Sequence, residues 1–154
     1  MRIAFDSNIL AYLASVRTIE ADDPKIARVQ AISKALRPNA VLVAPVQALG
    51  ELFVVLRRGG VAPELARQRV DRAAEGLITA PSTSATLTGA LDLAVEHKLQ
   101  FWDSLILTAA SEAGCSLLLS EDMQHGFVSR GVTIVNPLAE SPHPQLARLL
   151  APAS

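Results

Sequence analysis

The sequence is poor in the residues that build disulfide frameworks and zinc sites. Its 154 positions contain one cysteine, Cys115, and three histidines, His97, His125 and His143. A lone thiol closes no intrachain disulfide and offers no second sulfur to a metal knuckle. With Ala113, Gly114 and Leu117 around it, Cys115 reads as a buried structural thiol. No two histidines stand at ligand spacing, which disfavours zinc. No apolar run reaches the roughly 20 residues of a membrane span, and the chain enters its first strand without a signal-peptide core, so a cytoplasmic protein is expected. G-x-S-x-G, P-loop and G-x-G-x-x-G motifs are missing, which removes support for serine hydrolase, NTPase and dinucleotide-binding dehydrogenase readings. The formal net charge is only -1, so a polyanionic partner would have to be held by local clusters of Arg and Lys.

What is present is an aliphatic, compact composition. Half of the residues are hydrophobic, 19% are charged and only 4% are aromatic, which suits helices packed on a buried parallel sheet rather than a disordered chain. Ile3, Ala4 and Phe5 form a first short strand, followed by Asp6, Ser7, Asn8 and a short helix through Leu13. The pattern breaks over residues 16–23. Asp22-Asp23-Pro24 then opens an amphipathic helix with Ile26, Val29, Ile32 and Leu36 on one face. Residues 41–44 make a second strand. Pro45 starts a helix with Leu49, Leu52, Phe53 and Leu56 inward, and Arg57-Arg58-Gly59-Gly60 ends it. A further helix after Pro63 places Leu65, Val70, Ala73 and Ala74 inward.

Residues 77–80 form a third strand, and a helix with Leu87, Leu91, Ala94 and Val95 in the core runs to His97-Lys98. The next helix begins at Phe101, with Trp102, Leu105, Ile106, Ala109 and Ala110 at i, i+3, i+4, i+7 and i+8 as its buried face. Residues 116–120 and 132–135 are the fourth and fifth strands. Alternating strands and helices predict a three-layer α/β/α domain with a central, mainly parallel sheet of four to five strands. The domain is expected to span residues 1–137. Residues 138–154 form a proline-containing surface tail or lid with room for one short helix.

Carboxyl ends of parallel strands and N-termini of the helices that follow them share one side of such a sheet, where ligands bind. Asp6 follows the first strand, Asp122 the fourth, Glu51 lies in the second turn of the helix after the second strand, and Asp103 lies in the first turn of its own helix. Each has an ordinary alternative reading: Asp6 as a helix cap, a job that Ser7 or Asn8 can also do, Asp103 as a first-turn charge on the helix dipole, Glu51 as a solvated position, and Asp122, beside Glu121, as a turn residue. Brought together, four carboxylates repel and raise one another's pKa. A hard divalent cation, Mg²⁺ or Mn²⁺, relieves that repulsion. Such a cation activates water and stabilises charge at a phosphoryl centre.

The set Asp6-Ser7-Asn8, Glu51, Trp102-Asp103-Ser104 and Ser120-Glu121-Asp122-Met123 resembles the PIN domain, and most closely the VapC-type toxins of bacterial toxin–antitoxin pairs. The match in order, spacing and length covers essentially the whole chain. The resemblance implies an endoribonuclease in which Asp6, Glu51, Asp103 and Asp122 bind one or two Mg²⁺ or Mn²⁺ ions. Asn8 and Ser120 would orient carboxylates or metal-bound waters. It also implies a homodimer and a small VapB-type antitoxin that reaches into the acidic groove. Arg57, Arg58, Arg67, Arg69 and Arg72 are candidate RNA phosphate contacts, and His125 is another candidate RNA contact. Two rivals stay open at this point: a Mg²⁺-dependent aspartyl phosphotransfer domain of receiver or haloacid-dehalogenase type, and a non-catalytic interaction domain. Neither phosphotransfer variant explains Glu51, and the second would place another Asp where Asn8 stands.

Overall fold

The computed structural model describes residues 1–16 and 22–152. The part of the expected break that falls at residues 17–21 lies outside the described residues. In chain order the elements are β1 (Arg2–Phe5), α1 (Ser7–Leu13), α2 (Asp23–Leu36), β2 (Val41–Pro45), α3 (Val46–Arg58), α4 (Pro63–Ala74), β3 (Ile78–Ala80), α5 (Ser84–His97), α6 (Phe101–Glu112), β4 (Leu117–Leu119), β5 (Val128–Ser129), β6 (Val132–Val135) and α7 (Pro144–Leu150).

The strands form one sheet in the order β3-β2-β1-β4-β6-β5. All pairs are parallel except β5 with β6. The sheet therefore has one strand more than the expected four to five. The extra strand is the two-residue β5, whose Val128 is exposed; a strand this short and solvated leaves no apolar run to read. β1, β2, β4 and β6 are buried almost throughout, as strands covered by helices on both faces must be.

The chain winds outward from β1 through β2 to β3, then returns to place β4 on the other side of β1. The direction of winding reverses between β1 and β4, which opens a crevice at their carboxyl ends. Register pairs Phe5 with Leu119, and the Asp6 N–H donates to the Leu119 carbonyl at 2.9 Å. The residues after these two strands, Asp6 and Ser120, are thereby set side by side.

Three helix faces differ from the sequence expectation. α5 buries Thr86, Gly89, Ala90 and Leu93 and leaves Leu87, Leu91 and Val95 in solvent at 45%, 49% and 80% exposure. The cause is a close approach to α6: a Cβ at Gly89 would stand 2.9 Å from Thr108 Cγ2 and 2.6 Å from Arg130 Nη1. Small residues face the contact and the bulky ones are turned out. In α4, Ala66 is buried while Leu65 is 44% exposed. At the start of α6, Trp102 is half exposed rather than on the buried face. Cys115 is buried, and burial pushes its thiol up to about 11. Beyond residue 137, α7 inserts Leu146 into the same core. No helix among the described residues is long and apolar enough to cross a membrane.

Candidate active site

Asp6 stands at the reversal point, directly after β1, and is only 3% exposed. Its Oδ1 accepts from the Ser7 N–H at 2.7 Å and faces the Ser7 hydroxyl at 3.4 Å. Its Oδ2 accepts from Ser120 Oγ at 2.7 Å. Asp6 itself occupies the N-cap of α1, so capping falls to it and not to Ser7 or Asn8. The same carboxylate serves the helix and the crevice. Burial pushes its pKa up to about 6 from 3.8; the hydrogen bonds from Ser120 and Ser7 oppose that rise, and the charges of Asp103 and Glu51 add to it.

Asp103 occupies the first turn of α6. Because α6 leads directly into β4, and β4 lies beside β1, its N-terminus comes to the crevice, and Asp103 and Asp6 feel each other's charge. The Asp103 pKa is also raised, first by burial and then by the charges of Glu51 and Asp122. Glu51, on the second turn of α3, accepts from Gln47 Nε2 at 3.2 Å. All four acids thus lie within electrostatic reach of Asp103 or Asp6. Among the described residues, no three acidic, imidazole or thiol side chains are close enough together to form a ready ion cage. The donor set itself is oxygen-rich and lacks thiol and imidazole, which fits a hard divalent cation.

The loop after β4 separates its two acids. Glu121 is drawn away from the crevice, with Oε1 accepting from Tyr12 OH at 2.6 Å and Oε2 2.9 Å from Lys25 Nζ. Burial and the hydrogen bond to Glu121 push the Tyr12 hydroxyl up to about 12. Asp122 instead lines a cavity of about 190 Å³ together with Asp103, Lys98 and Gln100. Asn8 Oδ1 accepts from the Glu121 N–H at 3.2 Å, and Ser120 Oγ accepts from the Met123 N–H at 3.1 Å. Asn8 and Ser120 therefore hold the loop that presents Asp122.

A second cleft, of about 450 Å³, contains Glu51, Ser7, Gln47, Arg58 and Trp102, and Gln100 is common to both cavities. Sequence reasoning missed Gln100 and the Tyr12–Glu121 pair. Gln100 sits just before α6, a position that could have drawn notice; a contact between residues 109 apart leaves no local trace. Of the candidate RNA contacts, Arg58 lines the cleft. Arg57 donates to the Val61 carbonyl at 2.8 Å, and Arg67 is exposed on α4. His125 Nδ1 accepts from the Asn136 N–H at 2.9 Å, and its ring packs edge-on against His143.

The sequence profile of the PIN domain matches residues 3–128. The chain belongs to the PIN domain family. PIN domains are nucleases. No curated protein matches the chain. Solved structures with the same fold include VapBC2 from Rickettsia felis bound to a DNA fragment from its promoter, at 15% identity and a TM-score of 0.61, covering 78% of this chain and 86% of that one. VapC20 of Mycobacterium tuberculosis, described as a toxin that cleaves the sarcin-ricin loop, shares 18% identity with a TM-score of 0.60, covering 78% and 89%. A toxin–antitoxin complex from Klebsiella pneumoniae shares 21% identity with a TM-score of 0.62, covering 88% and 97%. The three-layer fold of this PIN domain is thus that of VapC-type toxins.

Proposed function

We propose that this PIN domain is a metal-dependent endoribonuclease, the toxin of a VapBC-type pair, acting in the cytoplasm. The observation that carries the reading is the electrostatic coupling of Asp6 with Asp103 and Glu51, and of Asp103 with Glu51 and Asp122, beside the crevice between β1 and β4, with Asp6 and Asp103 both raised in pKa. The side chains of Asp103 and Asp122 make no hydrogen bond or ion pair among the described residues, so their charge is free for a cation. These four residues would hold one or two Mg²⁺ or Mn²⁺ ions. Bound there, the metal supplies a nucleophilic water and neutralises charge on the phosphoryl oxygens.

The protein's own contribution is positioning. Ser120 and Ser7 fix both oxygens of Asp6. Asn8 and Ser120 set the loop from which Asp122 projects. Gln47 orients Glu51, and Arg58 at the cleft offers a cation to a substrate phosphate. The exposed stripe of Leu87, Leu91 and Val95 at i, i+4 and i+8 on α5 supports a homodimer, in which a second copy covers this apolar face. The neighbouring structures include complexes with antitoxins, which supports a VapB-type protein as the inhibitor of this one.

The test is incubation of purified protein with structured RNAs in Mg²⁺ or Mn²⁺, beside EDTA, Asp6→Asn and Asp103→Asn. The expected result is cleavage abolished by all three. Cleavage that survives EDTA or either substitution sinks the mechanism. Incorporation of phosphate at Asp6 from acetyl phosphate would instead favour the phosphotransfer rival. A toxic effect in cells that survives the substitutions would favour the interaction domain.

A further inference from the structure

The cleft that holds Glu51 does not end at Arg58. Val55 and Arg58 also line a neighbouring depression of about 580 Å³, with Val61 and Arg69 on its far side. Ser15 and Arg69 in turn line a third, of about 530 Å³, which contains Arg37 and Arg72. Sharing these residues, the three depressions lie in a row, termed the trough, along the α3–α4 hairpin and past the end of α1. It leads from Glu51 at one end to Arg58, then Arg69, then Arg37 and Arg72.

The arginines along it have no protein partner: among the described residues none of the four makes an ion pair or a side-chain hydrogen bond. Glu75 is the acidic residue in the far depression. Arg37 is placed by the turn after α4, where a Cβ at Gly76 would stand 2.9 Å from its Nη1, so the guanidinium lies flush against the backbone. Unpaired guanidinium groups in a file along a groove match a ligand that carries negative charge at intervals along its length. The partly exposed apolar walls of the middle depression, Val16, Val55 and Val61, suit base faces between such charges.

We propose that this trough is a track for the single-stranded flank of an RNA substrate, gripped by Arg69, Arg37 and Arg72 several nucleotides from the bond that is cut. Its assignment to RNA rests on the nuclease reading above, through its continuity with the carboxylate cleft. An acidic, partly apolar peptide is the other ligand class that such a groove would take; RNA is favoured because Arg58, Arg69, Arg37 and Arg72 follow one another along the depressions, as the repeating charge of a phosphate backbone requires. Arg67 lies off the track and Arg57 is bound to the Val61 carbonyl, so neither is part of it.

The experiment is fluorescence anisotropy of the full chain with a fluorescein-labelled 20-nucleotide single-stranded RNA in EDTA, between 50 and 200 mM salt, paired with metal-supported cleavage of that RNA and of a four-nucleotide RNA. The variants are R37A/R69A/R72A and R37K/R69K/R72K, with circular dichroism to check that each folds. The alanine variant is expected to bind about 10-fold more weakly at low salt, and its log K against log salt slope to fall by about 2, from ~0.7 per phosphate contact on a single strand. The lysine variant keeps the slope. Cleavage of the long RNA loses kcat/KM through KM, while the four-nucleotide RNA is cut at the wild-type rate. Unchanged binding and slope in the alanine variant overturn the track, as does a wild type that binds no RNA. The same titration is run with a fluorescein-labelled Asp/Glu-rich peptide, and intact RNA binding with loss of peptide binding in the alanine variant assigns the trough to the peptide and also overturns it. A wild type that binds RNA through these arginines but cuts nothing keeps the track and removes the nuclease reading instead.

Discussion

The crevice between β1 and β4 hides charge, while the outer face of α5 exposes hydrocarbon. At the crevice, Asp6 is 3% exposed and still meets the charges of Asp103 and Glu51. On α5, Leu87, Leu91 and Val95 stand in water while Gly89 and Ala90 are buried. A carboxylate taken out of water is costly unless it is neutralised or paired, and a contiguous apolar stripe in water marks a surface that another molecule covers. On the function proposed above, each region is completed by something outside the chain, and the chemistry that completes each is different. The crevice calls for a cation, and its cost varies with pH and with metal. The α5 face calls for apolar contact, and its cost varies with protein concentration. The two can be perturbed one at a time.

The largest expected effect is at the crevice. Asp103→Asn keeps the shape of the side chain and removes one of the charges that would hold the metal. A loss of about 10³-fold or more in RNA cleavage is expected, because metal stabilisation of phosphoryl transfer amounts to several kcal/mol. The α5 face should be untouched, so sedimentation velocity should give the wild-type mass. Leu91→Glu does the reverse. A carboxylate forced into the apolar contact costs roughly 3 kcal/mol, about 100-fold in the dimer Kd. Metal binding measured by calorimetry on the separated subunits should remain. A Leu91→Glu protein with unchanged mass would remove α5 from the interface.

The third effect is smaller and has a sign that only the crevice can produce. The Asp6 pKa of about 6, against 3.8 unfolded, means that the folded metal-free protein holds this proton more tightly. Its contribution to stability is fully present below pH 3.8 and is lost as pH rises through 6. The full span is about 3 kcal/mol, and roughly half of it falls between pH 5 and 7.5. Metal-free wild type should therefore gain stability on acidification relative to Asp6→Asn, read as the difference between their denaturant midpoints at the two pH values. Saturating Mn²⁺ should erase that gain, because the ion binds the deprotonated site. A wild type and an Asp6→Asn variant with parallel pH profiles would show that Asp6 is not held in a raised state.

These two regions also differ in how far the sequence could reveal them. Strands β1, β2, β4 and β6 are short apolar runs bounded by breakers, and such runs are legible because burial on both faces forbids polar residues. Asp6 and Ser120 follow two of them directly, so their place at the strand ends was readable. That Asp103 joins them was not, because α5 intervenes after β3; the step is decided by β4 entering beside β1 rather than beside β3. The buried face of α5 was misjudged for a different reason. Hydrophobicity ranks Leu87, Leu91 and Val95 above Thr86, Gly89 and Ala90, but the closeness of α6 selects for small volume. A helix that keeps its small face for its own domain leaves its large residues for another molecule, and a single chain shows periodicity without saying which partner it serves.

The smallest expected effect tests how the crevice keeps its acids apart. Glu121 and Asp122 are adjacent, yet Glu121 is held by the Tyr12 hydroxyl and Lys25, while Asp122 lines the cavity with Asp103. Tyr12→Phe removes the shorter of the two tethers and leaves the Lys25 pair and the ring. The expected cost is about 1 kcal/mol of folding stability for one part-buried, charge-assisted hydrogen bond, seen as a shift in denaturant midpoint. Cleavage should fall by less than about threefold, since a change of that size in rate is under 1 kcal/mol. If Glu121 were the acid that serves the site, releasing it would change the metal dependence of cleavage. A Tyr12→Phe protein with an altered Mn²⁺ titration would transfer the role from Asp122 to Glu121. An unaltered titration with the small stability loss leaves Tyr12 as the anchor that keeps the second acid of the loop out of the crevice.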